Sequence, residues 1–160
     1  MPLRAGIGYD IHARNPARPL VLGGVTFEGE PGLEGHSDAD VLAHAIGDAL
    51  LGAIAYGDLG QHFPPGDPRW KDASSMELLR FIRAMVEGRG GRISNVDATV
   101  VAAAPRLAPA RDAMRTNIAQ ALKLPGGRVS VKATTNESLD ALGRGEGIAA
   151  WAVAMVELPE

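Results

Sequence analysis

The 160-residue chain has no cysteine. That excludes disulfides and thiolate metal ligands, so any bound metal must rest on imidazoles and carboxylates. Basic charge is not in surplus either: the net charge is -3, which argues against bulk nucleic-acid binding. No apolar run approaches the roughly 18 residues a membrane span requires. The first residues lack the charged-then-apolar pattern of a secretory signal, so a cytoplasmic protein away from membranes is expected. Internal repeats and low-complexity segments are also missing. What remains, 46% apolar and 22% charged residues, is ordinary globular composition, expected to form one domain over 1–160. The 20 Gly and 11 Pro are spread along the chain, which reads as tight turns and close backbone approach.

Periodicity gives the outline of a fold. Leu3 to Gly8 reads as a strand leading into Tyr9-Asp10-Ile11-His12, and Leu20 to Phe27 as a hairpin turning at Gly23-Gly24. Glu28 to Gly35 reads as a loop that delivers His36. Leu42, Ala45, Ile46, Ala49, Leu50 and Ala53 form the apolar stripe of a first helix, with Ser37 or Asp38 as its cap. Asp58 to Ala73 has no period and is expected to be a long functional loop. Ser74 and Glu77 fit a capping box for a second helix. A β-branched run from Ile93 to Ala103 predicts a strand, Pro109 can open a third helix, and Val129–Thr134 and Ile148–Leu158 predict two more strands.

The expected class is α+β, a two-layer sandwich. It has a mixed sheet of about four main strands, helices on one face and a small added hairpin. The other face needs a cover, which another subunit could supply; Trp151, Val153 and Met155 alternate with small residues there.

The residues able to do chemistry are concentrated. In an extended strand Asp10 and His12 point the same way. With His44 from the first helix they suit a tetrahedral Zn²⁺ whose fourth position stays open. Asp10-x-His12 alone reads more simply as a turn cap beside a surface imidazole. The dense His36–His44 stretch favours the metal instead, since with His12 it holds three of the four His. His36 and Ser37 could contact a phosphate, or only cap the helix. Asp40 and Asp48 share a helix face with His44, either orienting its ring or as plain solvated carboxylates. Lys132, Thr134, Thr135 and Glu137 gather at a strand end, where hydroxyls and a Lys suit phosphate and Glu137 a hard cation; a polar turn after a strand is the simpler reading of that cluster alone. Arg106 and Arg144 could clamp anions.

Together, Gly6–His12, Leu22–Val25, His36–Val41 with His44, Asp48–Ala53, Gly57–Gly60, Asn95–Asp97, Val131–Thr135 with Glu137, and Gly143–Ala149 resemble the 2-C-methyl-D-erythritol 2,4-cyclodiphosphate synthase family. The resemblance runs in order over nearly the whole chain. It implies a homotrimer with active sites between adjacent subunits, acting in the non-mevalonate route to isoprenoids. It implies the substrate 4-diphosphocytidyl-2-C-methyl-D-erythritol 2-phosphate, whose 2-phosphate attacks the β-phosphorus to form a cyclic diphosphate and release CMP.

On the same resemblance, Asp10, His12 and His44 hold Zn²⁺, and Glu137 holds a Mg²⁺ or Mn²⁺ that bridges the α- and β-phosphates. His36 and Thr135 position the phosphates and are the catalytic residues. Asp10, Ile11, His12, His36 and Ser37 also contact substrate. Asp58, Leu59 and Gly60, with Phe63, Pro64, Pro65, Gly66 and Asp67, hold the methylerythritol phosphate end. Ala102, Ala103, Ala104, Pro105, Arg106, Leu107 and Ala108, with Lys132, Thr134 and Thr135 of the neighbouring subunit, form the cytidine pocket. Asn136 and Arg144 complete the contacts. Without the resemblance two other activities stay open, a metal-dependent nucleotide-binding protein and a phosphoesterase using a zinc-activated water.

Overall fold

The computed structural model describes all 160 residues, Met1–Glu160. Five strands, β1 (Leu3–Leu22), β2 (Val25–Leu33), β3 (Arg92–Val101), β4 (Val129–Thr134) and β5 (Gly147–Glu157), form one sheet in the order β2-β1-β5-β3-β4. Only β3 and β4 run parallel; the other neighbours are antiparallel. The helices are α1 (Val41–Ala53), α2 (Leu59–His62), α3 (Ser75–Gly88), α4 (Arg111–Leu122) and α5 (Asp140–Gly143). No helix is long and apolar enough to cross a membrane. A single cluster of 39 buried apolar residues joins the sheet to α1, α3 and α4, so the two layers share one core.

β1 serves two partners. Leu3 to Ala13 pairs with β5 without a slip, and Arg14 to Leu22 pairs with β2. Within the second pairing the register shifts on both sides of Pro19, because proline has no N–H for the ladder. The β1–β2 turn is Gly23-Gly24, both at positive φ (55° and 73°), the geometry two-residue hairpins favour. Glu28 to Leu33, expected as loop, is strand. It lies in β2, an edge strand of the sheet, where Pro31 and Gly32 are tolerated.

Alternation along β1 sets up everything else. Gly6 and Gly8 are buried beneath α1, while Ile7, Tyr9 and Ile11 face out. A Cβ on Gly8 would lie 1.8 Å from the carbonyl oxygen of Ala45, and one on Gly6 1.8 Å from that of Ala49. Two strand residues advance about 6.6 Å and four helical residues about 6 Å, so strand and helix march in step. Continuing that step places Asp10 and His12 under the first turn of α1.

The outer face of the sheet carries Ile7, Tyr9, Trp151 and Val153, exposed by 73%, 47%, 42% and 45%. Tyr9 and Trp151 stack at 4.7 Å between ring centroids. Large apolar side chains are thus left in the open on this face of the sheet.

Two start signals need correction. α1 is capped by Asp40, whose carboxylate accepts from Ala43 N–H at 3.0 Å, not by Ser37 or Asp38. Ser74 caps α3 as expected, through Met76 N–H, but the Glu77 side chain turns to Arg80 and leaves the capping box half made. The 58–73 stretch is more ordered than its lack of period predicts. Asp58 caps α2, and Asp67 caps a 3₁₀ turn at Pro68–Trp70.

Candidate metal centre and two clefts

Asp10 and His12 leave β1 on the side facing α1, and His44 descends from α1 to meet them. His12 Nε2 lies 2.7 Å from Asp10 Oδ2, His44 Nδ1 lies 3.1 Å from the same oxygen, and the two ring nitrogens are 3.3 Å apart. A tetrahedral ion with bonds of 2.0–2.1 Å separates its ligand atoms by about 3.3 Å. The three atoms therefore already converge as a His₂Asp donor set, and the residues fit a divalent cation. Burial works to raise the Asp10 pKa. Hydrogen bonds and charge from His12 and His44 outweigh it and hold the carboxyl down to about 2. Burial works to lower His44; its bond to Asp10, and the negative charges of Asp10, Asp40 and Asp38, raise it instead. Asp10 is thus ionised, and the charge it carries is what draws a proton, or a cation, to this point.

The carboxylates expected to orient His44 do something else. Asp40 is fully buried and accepts from the N–H groups of Gly23 (2.9 Å), Gly24 (2.8 Å) and Ala43 (3.0 Å). It locks the hairpin turn to the start of α1. Asp48 accepts from Leu59 N–H at 2.8 Å and sits in the cleft wall without bonding the ring. The outer nitrogen of His44 is held by Ser75 Oγ at 2.9 Å and Ser37 Oγ at 3.1 Å.

Burial, reinforced by the charge of Asp38, raises the Asp40 pKa to about 6, against the pull of its three N–H donors. The folded value stands above the ordinary 3.8, so the folded chain binds this proton more tightly than the unfolded one. Its contribution to stability is fully present below about pH 4 and is lost as pH rises through about 6. Urea unfolding from pH 4 to 7 should show wild type losing about 1–3 kcal/mol relative to Asp40→Asn. Parallel pH profiles for the two chains would contradict this.

A cleft of about 420 Å³ opens beside the His₂Asp cluster. Its polar wall is Asp10, His12, His36, Ser37, His44 and Asp48; its apolar wall is Leu59, Phe63, Pro65, Trp70 and Leu78, with Gly35 and Gly60 between. Phe63 and Trp70 meet edge to face at 4.9 Å. His36 Nε2 donates to the Asp67 carbonyl at 2.8 Å, which fastens the 64–68 turn over the cleft. Pro64 and Gly66 are exposed, and the Asp67 carboxylate is paired with Arg69. Ile11 points to the opposite, outer face of the sheet (46% exposed), because it is out of phase with Asp10 and His12.

A second cleft of about 220 Å³ is lined by Ala102, Ala103, Pro105–Ala108, Arg111 and Ala133–Thr135. Most of the 102–108 stretch and the 133–135 stretch of the same chain line this cleft together. The reason is the parallel β3–β4 pair: Val101 lies opposite Thr134, and Ala102 N–H bonds the Thr134 carbonyl at 3.1 Å, so both strand ends empty into one hollow. Ala104 instead offers its carbonyl to Arg14. Lys132 lies outside this cleft. Its Nζ is 2.6 Å from both Asp97 oxygens, since alternation along β4 turns it to the outer face. Asn136 is bonded to Asp140, Arg144 is paired with Glu146 at 3.0 Å, and Glu137 is exposed in the loop after β4, lining neither cleft. The two clefts share no residue. Sequence reasoning missed Trp70, Leu78 and Arg111 in the walls and Ser75 behind His44. The only signal was a second serine beside the α3 cap.

A two-layer α+β fold with a His₂Asp cluster able to hold a divalent cation in one cleft, and a second cleft at parallel strand ends, defines the class of fold and site. The YgbB family model matches residues 3–157, and the chain belongs to that family. A 2-C-methyl-D-erythritol 2,4-cyclodiphosphate synthase from Moorella thermoacetica is 58% identical over 154 residues, covering 96% of this chain and 94% of that protein. The bifunctional IspDF of Campylobacter jejuni superposes with a TM-score of 0.94 at 41% identity, over 99% of this chain and 43% of that one. The CDP complex of IspF from Plasmodium falciparum superposes with a TM-score of 0.86 at 31% identity, over 99% and 97%.

Proposed function

We propose that the chain converts 4-diphosphocytidyl-2-C-methyl-D-erythritol 2-phosphate to 2-C-methyl-D-erythritol 2,4-cyclodiphosphate and CMP, in the cytoplasm, as a cyclase of isoprenoid precursor synthesis. The observation that carries this reading is the convergence of Asp10, His12 and His44 on one point in the wall of a cleft that also holds His36 and Ser37. The nucleophile is an oxygen of the 2-phosphate, already anionic, so no strong general base is needed. That oxygen forms a bond to the β-phosphorus while the bond to the CMP oxygen breaks, and CMP leaves with the electron pair. The catalytic problem is to bring two anions together in line, which is a task of positioning and charge stabilisation.

Asp10, His12 and His44 would hold a divalent cation such as Zn²⁺, and Glu137, exposed after β4, would offer a lone carboxylate to a Mg²⁺ or Mn²⁺ that substrate phosphates help to hold. When bound, these cations neutralise phosphate charge and polarise the phosphoryl group. His36 and Thr135 position the phosphates, Ser37 adds a hydroxyl, and the Leu59–Phe63–Trp70 wall excludes water around the methylerythritol carbons. The cytidine end occupies the 102–108 and 133–135 cleft. Assembly of three chains through the Ile7–Tyr9–Trp151–Val153 face would set the second cleft of one chain against the first cleft of its neighbour. This explains why one chain carries two partial clefts.

Phosphorus NMR of the reaction mixture tests the reading. CMP with a cyclic diphosphate is the expected result. Free phosphate or an open-chain diphosphate would make the chain a phosphoesterase, and an unchanged ligand would make it a binding protein.

A further inference from the structure

We propose that Asp38 and Ser75 are positioning residues that, by a two-bond relay, fix which nitrogen of His44 faces the metal. The inference rests on the metal-centre reading above. Ser75 is 1% exposed, and its Oγ lies 2.5 Å from Asp38 Oδ1 and 2.9 Å from His44 Nε2. An ionised carboxylate can only accept, so the Ser75 hydroxyl proton is committed to Asp38. The Ser75 oxygen is then left as an acceptor, and Nε2 of His44 must carry the proton that meets it. With Nε2 protonated, the lone pair of the neutral ring sits on Nδ1, the nitrogen 3.1 Å from Asp10 Oδ2 and 3.3 Å from His12 Nε2. The Asp38 charge, passed through the hydroxyl, also makes the ring a better donor to a cation.

Asp38 is itself held. Its Oδ2 accepts from Ser75 N–H at 2.9 Å, its Oδ1 also accepts from Asp40 N–H at 3.1 Å, and its own N–H bonds the Ala73 carbonyl at 3.0 Å. The loop before α1 and the first residue of α3 are thereby tied together around the outer edge of His44. Ser37 Oγ also reaches Nε2, at 3.1 Å, but no carboxylate backs it; it accepts weakly from Ala39 N–H at 3.3 Å. The relay therefore ranks Ser75 above Ser37.

The test is the Zn²⁺ dissociation constant of the full chain, by competition with a chromophoric chelator. Ser75→Ala and Asp38→Asn should each weaken Zn²⁺ binding about 10- to 100-fold, with Ser37→Ala weaker in effect than Ser75→Ala. In nitrogen-15 spectra of the Zn²⁺-loaded chain, His44 Nε2–H should be a slowly exchanging, hydrogen-bonded proton that Ser75→Ala exposes to exchange. Urea unfolding without metal checks the fold of each variant, and Asp38→Asn decides if Ser75→Ala does not fold. Wild-type affinity in both folded variants would overturn the relay and leave the metal centre standing. A wild-type chain that binds no Zn²⁺ would overturn the metal centre, and the relay with it.

Discussion

Replacing His44 with alanine should lower CMP release about 1000-fold while the chain stays folded. His44 supplies one of three ligand atoms to a cluster whose other two members come from β1, so its loss leaves a two-ligand site that does not retain a metal. A catalytic cation contributes several kcal/mol of charge stabilisation; about 4 kcal/mol lost is roughly three decades in rate. Alanine is the best helix former, and the helix is capped independently by Asp40, so circular dichroism should be unchanged. Metal analysis after dialysis should fall from one equivalent to a small fraction. Retained metal together with retained turnover would remove His44 from the mechanism.

Gly8→Ala should cost about 3 kcal/mol or more and should weaken metal binding at the same time. The added Cβ would meet only backbone atoms: the Ala45 oxygen at 1.8 Å, and the Ala45 carbon and Ala49 nitrogen at 2.8 Å. None of these can swing aside, so α1 must lift from β1. His44 rides on α1, and Asp10 and His12 on β1, so the lift opens the cluster. Gly52→Ala is the control. Its Cβ would find nothing nearer than 3.9 Å, and replacing a helical glycine should stabilise by about 0.5–1 kcal/mol. Urea midpoints separate the two; equal midpoints for Gly8→Ala and wild type would mean that helix and strand are not held at this spacing.

The parts of the fold legible in the sequence are those governed by local pattern. β4 falls at Val129–Thr134 as read, and Ser74 caps α3, because β-branched runs and cap residues act on their own neighbours. The meeting of Asp10 and His12 with His44 was legible from residue type and strand parity. What stayed hidden depends on partners far along the chain. Ser75 reaches His44 across 31 positions and Asp97 reaches Lys132 across 35, and no periodicity encodes such pairs. Asp40 was misplaced because spacing alone put it on the face of His44. In the structure it lies one residue before α1 begins, turned toward the Gly23-Gly24 hairpin. Glu28 to Leu33 looked like a loop because an edge strand tolerates the proline and glycines that break an inner one.

The outward strip of Ile7, Tyr9, Trp151 and Val153 has a pharmacological consequence under the proposed assembly. A small apolar molecule wedged onto it would keep chains apart and silence them without resembling a nucleotide or a phosphate. Substrate bridging two chains would favour assembly by mass action, so it would oppose such a molecule without competing for the same surface.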